Sequence, residues 1–122
     1  MLFRSVVSRH PKVRIIVPHL GGTLPFLTMR LDGSLGSRME HKPSELLKRL
    51  WFDTVNENTA SLCCARDAFG ADRLLLGTDF PHLAGARFDR CVSYIEQSEL
   101  PAEEKTAILD RNAQALLGLT DR

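Results

Sequence analysis

The sequence predicts an α/β fold in which three parallel strands alternate with helices. Two observations carry this. Short, nearly all-apolar runs at 13–17, 50–52 and 74–76 each end in polar residues, as suits strands buried on both faces of a parallel sheet. Between and after them, apolar residues recur at helical spacing.

Each element has its own signal. Val13-Arg14-Ile15-Ile16-Val17 is β-branched and stops at Pro18-His19. Lys42-Pro43-Ser44-Glu45 opens a short helix ending near Arg49, and Leu50-Trp51-Phe52 then runs into Asp53-Thr54. Residues 59–69 place Leu62, Ala65 and Phe69 on one stripe. Asn58 or Thr59 can cap that helix, and Gly70 can close it in a left-handed conformation. Leu74-Leu75-Leu76 ends at Gly77-Thr78-Asp79. Residues 86–97 set Phe88, Cys91, Val92 and Ile95 at the spacing of a buried helix face. Pro101, Glu103 and Glu104 start a last helical stretch that runs to Leu117-Gly118, since proline and acids both suit a first turn. Right-handed crossovers make the three strands parallel neighbours. Their polar ends then share the C-terminal edge, where α/β folds bind ligands.

Composition bounds the function. At 122 residues the chain has the size of one domain. Its 16 basic and 15 acidic residues are mixed and leave a net charge of +1, so no basic stripe awaits a nucleic acid. No apolar run approaches the roughly 20 residues that span a bilayer. The start, Met1-Leu2-Phe3-Arg4, lacks the features of a signal peptide. The cysteines, Cys63, Cys64 and Cys91, are odd in number and include an adjacent pair. That pattern argues against a disulfide framework and for a reducing cytoplasm. Without a CxxC pair, a structural zinc site is not expected.

Two residues stand out at the polar edge. His19, in Pro18-His19-Leu20-Gly21-Gly22, follows the first strand. A histidine there can serve as general base or metal ligand, or as a structural residue capping the strand end. Asp79, in Gly77-Thr78-Asp79-Phe80-Pro81-His82, follows the third. Its carboxylate can bind a cation or hold a water, or cap the next turn. Asp53 holds the matching position on the middle strand and reads first as a turn-stabilising residue. His82 can line the site or stand exposed on its loop. Arg30 reads as a solvated helix residue. His10 and His41 fall away from the edge. Cys63 and Cys64 pack in a helix without a basic partner to activate them.

Together these motifs resemble the amidohydrolase-related family. The residues concerned are His10-Pro11, Pro18-His19-Leu20-Gly21-Gly22, Pro25, Trp51-Phe52-Asp53-Thr54, Leu76-Gly77-Thr78-Asp79-Phe80-Pro81-His82 and Asn112-Ala113. The branch they are similar to holds aminocarboxymuconate-semialdehyde decarboxylase and the hydroxybenzoate and carboxyvanillate decarboxylases. The resemblance implies the C-terminal part of a (β/α)8 TIM-type barrel, with residues 1–122 a single partial barrel domain carrying strands six to eight. It implies a divalent metal, zinc first and manganese in some members. Asp79 matches the aspartate that ligates the metal, and His19 the histidine that moves a proton. Arg30 matches an arginine that reaches a substrate carboxylate across a subunit interface, and His82 joins it as a substrate-binding candidate.

The family's HxH pair and its fifth-strand histidine have no counterpart here, and a full barrel takes roughly 200–250 residues or more. A mononuclear catalytic site takes three protein ligands, so the chain alone is expected to hold no functional metal site. Two readings follow. The chain is a segment of a metal-dependent decarboxylase or hydrolase of a small carboxylated or cyclic substrate. Alternatively, it is a non-catalytic barrel fragment that associates with itself or with a complementing N-terminal segment, because the inner sheet face and the strand edges would otherwise stay open.

Overall fold

Strand pairing sets the architecture. In the computed structural model, which describes residues 2–119, strands β1 (Ile16–Val17), β2 (Trp51–Asp53) and β3 (Leu74–Leu75) form one sheet in the order β1-β2-β3. Both pairings are parallel: Ile16 lies opposite Trp51, Val17 opposite Phe52, Phe52 opposite Leu74 and Asp53 opposite Leu75. The order and direction are those the sequence predicts. Around the sheet lie α1 (Leu2–Arg9), α2 (Leu24–Leu35), α3 (Pro43–Leu47), α4 (Thr59–Phe69), α5 (Ala86–Glu96), α6 (Ala102–Thr106) and α7 (Asn112–Leu117). A π-turn, Ala107–Arg111, joins α6 to α7. Among the described residues no helix is long and apolar enough to cross a membrane.

Residues opposite one another in a parallel pair share a face. Val17, Phe52 and Leu74 therefore face the same way, and Phe52 and Leu74 are fully buried. The ring of Phe52 stacks on Phe69 of α4, with centroids 3.9 Å apart and planes within 7°. Leu46, Leu47, Leu62, Ile95 and Ile108 complete this cluster. The other face carries Ile16, Trp51, Asp53 and Leu75. Burial on both faces holds at β3, where Leu74 and Leu75 are both buried, but not across the rest of the sheet. Ile16 remains 49% exposed, while Trp51 is partly covered by the Arg73 guanidinium, 5.1 Å above its ring.

Several boundaries depart from expectation, each for a hydrogen-bonding reason. Val13 lies in a turn, its N–H donating to His10 O, and is 56% exposed; the strand begins three residues later. Leu50 belongs to the turn after α3, donating to Leu47 O. Leu76 lies beyond β3, its N–H donating to Ile108 O in the π-turn. Gly70 takes a positive φ of 98° but an extended ψ of 144°, outside the left-handed helical region. On α5 the buried positions are Cys91, Tyr94 and Ile95. Phe88 is 40% exposed, and Val92 is half-buried. Cys64 is exposed rather than packed. Asn58 caps α4 as expected, its Oδ1 accepting from the N–H groups of Ala60 and Ser61.

Candidate active site

The loops after the three strands meet at the C-terminal edge, and each holds an ionisable residue in a left-handed backbone conformation. His19 has φ 57°, Glu57 φ 57° and Asp79 φ 54°. Non-glycine residues adopt this region rarely and at some cost, and such positions concentrate at functional sites.

Asp53 organises the first two loops. Its Oδ1 accepts from the backbone N–H of His19 at 2.8 Å and from that of Val55 at 3.1 Å. The carboxylate is thus a brace between β1 and β2, in line with its reading as a turn-stabilising residue. The third loop comes within packing distance because Gly77 has no side chain: a Cβ there would lie 2.8 Å from Asp53 Cβ and 2.8 Å from Val55 Cγ2.

His19 is both structural and available. Its Nδ1 lies 3.2 Å from the carbonyl oxygen of Val55. A carbonyl only accepts, so this contact calls for a proton on Nδ1. In the neutral ring that leaves Nε2 with its lone pair free. The residue is exposed, so Nε2 can take a proton or a cation.

Asp79 does not cap its turn with its side chain. The backbone carbonyl does so, accepting from the N–H of His82 at 2.8 Å and of Leu83 at 3.2 Å. Among the described residues no hydrogen bond reaches the exposed Asp79 carboxylate. The Phe80-Pro81 peptide that follows is cis. A cleft of about 540 Å³ opens along this loop, lined by Phe80, Ala84, Gly85, Phe88 and Asp89. The rings of Phe80 and Phe88 meet edge to face at 6.1 Å. His82 is exposed on the same loop.

Arg30 is exposed on α2, and no hydrogen bond or ion pair joins it to His19, Asp53 or Asp79 among the described residues. His10 and His41 lie away from the edge; His41 faces Glu45 across 3.9 Å. Among the described residues no three His, Cys, Asp or Glu side chains converge as a metal site. Asp79 and His19 are suitable donors, but two donors fall short of a mononuclear catalytic site.

The sequence reading passed over two groups at this edge. One is the Val55 carbonyl that fixes the His19 ring. The other is Glu57, whose Oε1 accepts from Arg87 Nε at 3.0 Å and forms an ion pair with Arg87 Nη2 at 2.9 Å. Neither has a local signal, since a backbone carbonyl leaves no trace in composition and Arg87 lies 30 residues from Glu57.

The amidohydrolase family profile matches residues 1–119. The chain belongs to the amidohydrolase family. Among curated amidohydrolase relatives, 6-methylsalicylic acid decarboxylase of Penicillium expansum is 28% identical over 88% of this chain and 36% of its own length. Gamma-resorcylate decarboxylase of Rhizobium radiobacter is 28% identical over 100% of this chain and 39% of its own. A solved dihydroxybenzoic acid decarboxylase from Polaromonas, with bound manganese and 2-nitroresorcinol, superposes with a TM-score of 0.85 at 24% identity, over 99% of this chain and 38% of that one. The fold is that of the C-terminal part of an amidohydrolase (β/α)8 barrel: three parallel strands with flanking helices. The chain spans little more than a third of the length of these relatives, 36–39%.

Proposed function

We propose that this chain forms strands six to eight of a metal-dependent barrel that decarboxylates a small aromatic carboxylate. The observation that carries the reading is the pairing at one sheet edge of an exposed carboxylate, Asp79, with an imidazole whose Nε2 is free, His19. The matched relatives are named as decarboxylases of hydroxylated aromatic acids, which favours loss of CO2 over hydrolysis.

In this reading Asp79 is a metal ligand, with zinc or manganese as the ion and the remaining ligands from other barrel strands. The ion would polarise the substrate or lower the pKa of a bound water. His19 moves the proton: its free Nε2 takes one from solvent and gives it to the ring carbon as the bond to CO2 breaks, returning to the neutral form, while the Val55 carbonyl keeps Nδ1 protonated. Asp53 holds the imidazole at the edge through the His19 N–H. His82 and the Phe80 loop line the substrate. Arg30, outward on α2, would reach a substrate carboxylate of a second subunit.

The test expresses the chain together with the coding sequence that precedes it and follows CO2 release from a panel of hydroxybenzoates. The expected result is metal-dependent release that falls by a factor on the order of 10² or more in His19→Ala, and is lost in Asp79→Asn. Hydrolysis without CO2 release overturns the decarboxylase reading. Activity that survives both substitutions overturns the site. Alone, the chain should retain zinc after dialysis no better than a protein with scattered surface histidines.

A specific observation favours a second reading. Ile16 is 49% exposed on the sheet face that the helices leave open, and Phe26 and Met29 are 84% and 81% exposed on α2. A non-catalytic fragment that associates through these surfaces would sediment as an oligomer and bind no metal.

A further inference from the structure

Glu57 is poorly placed to be a surface residue of no consequence. Its side chain is only 14% exposed, its φ is +57°, and its Oε1 accepts a hydrogen bond from Arg87 Nε and pairs with the same guanidinium's Nη2 at 2.9 Å. Arg90 approaches its other oxygen at 3.9 Å. Glu57 stands two residues after Val55, whose carbonyl holds the His19 ring. Arg87 opens α5, directly after the loop that carries Asp79 and His82. Under this ion pair lies a small buried cluster of Val55, Leu83 and Cys91, one residue from each of the same three segments. The Cys91 thiol faces Thr78 O at 3.8 Å, next to Asp79.

We propose that Glu57 is a positioning residue whose ion pair with Arg87 latches the loop after β2, whose Val55 carbonyl holds the His19 ring, to the start of α5, which follows the loop that carries Asp79. The inference rests on the proposal that His19 and Asp79 act together. β2 and β3 are hydrogen-bonded through the sheet as far as Thr54 N–H to Leu75 O and Gly77 N–H to Thr54 Oγ1. Beyond those bonds the two loops leave the ladder, and the Glu57–Arg87 ion pair spans the gap. A charge-assisted hydrogen bond is short and directional, which is what two groups acting on one small substrate require. Val55, Leu83 and Cys91 supply the apolar floor and the ion pair the outer tie.

The test compares the 122-residue chain with Arg87→Gln, Glu57→Gln, the charge-reversed double variant Glu57→Arg/Arg87→Glu, and Arg90→Gln. Two readouts are taken: amide hydrogen exchange, and the ring ¹⁵N shifts of His19. Arg87 is 66% exposed, so its replacement leaves the fold standing even where Glu57→Gln does not. Arg87→Gln is expected to speed exchange roughly tenfold in residues 55–57 and 79–83 together, to leave α4 and α6 unchanged, and to shift His19 from the Nδ1-protonated form toward a tautomer mixture. The double variant should restore part of both signals, and Arg90→Gln should change them less. Exchange that rises uniformly, or a His19 tautomer indifferent to Arg87→Gln, overturns the latch. A wild-type His19 protonated on Nε2 would instead overturn the proton-transfer assignment itself, so the two failures are distinct.

Discussion

The backbone N–H of His19 donates to Oδ1 of Asp53 across 2.8 Å, so the residue that presents an imidazole is held by its main chain from a neighbouring strand. The same oxygen holds Val55, and Val55 in turn holds the His19 ring. Asp53 at the end of β2 and two residues in the loops after β1 and β2 thereby close a ring of contacts in which one side chain, through the main chain, orients another.

Replacing Asp53 opens that ring. Asp53→Ala removes the acceptor of two backbone N–H groups and should cost about 2–3 kcal/mol in urea unfolding. Asp53→Asn keeps one carbonyl oxygen and should cost about 1 kcal/mol. Equal losses in both variants would mean that the charge, not the acceptor, matters.

Gly77→Ala tests the close approach of the third loop. Its Cβ would sit 2.8 Å from both Asp53 Cβ and Val55 Cγ2. Neither neighbour is the far end of a flexible chain, so the backbone must shift. A loss of roughly 1–3 kcal/mol is expected, with changed amide shifts at Asp53 and Val55. An unchanged melting temperature would show that the loop has room the structure does not contain.

Asn112 is buried, and its Nδ2 donates to Ala71 O and Leu74 O, both at 2.8 Å. Asn112→Ala leaves two carbonyls beside β3 without that donor and should cost about 2–4 kcal/mol. Asn112→Asp replaces the donor with a second acceptor and should cost more at neutral pH. Its deficit should shrink as the pH falls and the carboxyl becomes a donor. A deficit independent of pH would argue against these bonds.

Asp32 on α2 predicts a pH dependence of its own. Burial pushes its carboxyl upward, but the Ser44 hydroxyl at 2.6 Å, the Ser44 N–H at 2.9 Å and the Lys42 charge together hold it below its usual 3.8. A depressed folded-state pKa contributes stability that is present above the unfolded value and is lost as the pH falls through the folded one. The α2–α3 contact should therefore weaken only below pH 3.8. Carboxyl NMR titration of Ser44→Ala should move Asp32 back upward; no movement would remove the hydroxyl as a cause.

Runs of apolar residues ending in polar ones located β2 and β3 to within a residue, because periodicity and turn chemistry are local. α4 is predicted with its own bounds and cap for the same reason. α2 gave no stripe to read: none of its residues is buried and Leu24 alone of them packs against the core cluster, too little contact to impose a pattern on Leu24–Leu35. The site was legible where a residue type names its chemistry, as at His19 and Asp79. It was illegible where the proposed positioning falls to a backbone carbonyl or to an ion pair between residues distant in sequence, as at Val55 and at Glu57 with Arg87.

The π-turn and α7 reach back to Arg14 and to β3. Arg14 donates to the carbonyl of Leu116, Asn112 grips the residues flanking and entering β3, and the Ile108 carbonyl takes the N–H of Leu76. During synthesis these partners leave the ribosome after β3. Until they do, β3 has its neighbour β2 but lacks the groups that satisfy its far side, and the nascent chain carries unpaired carbonyls and open apolar area. Folding of this segment is thus expected to finish only once residues 108–116 have emerged rather than strand by strand, and ribosome-stalled chains halted before Asn112 should be protease-sensitive through β3 while those halted well past Leu116 are not.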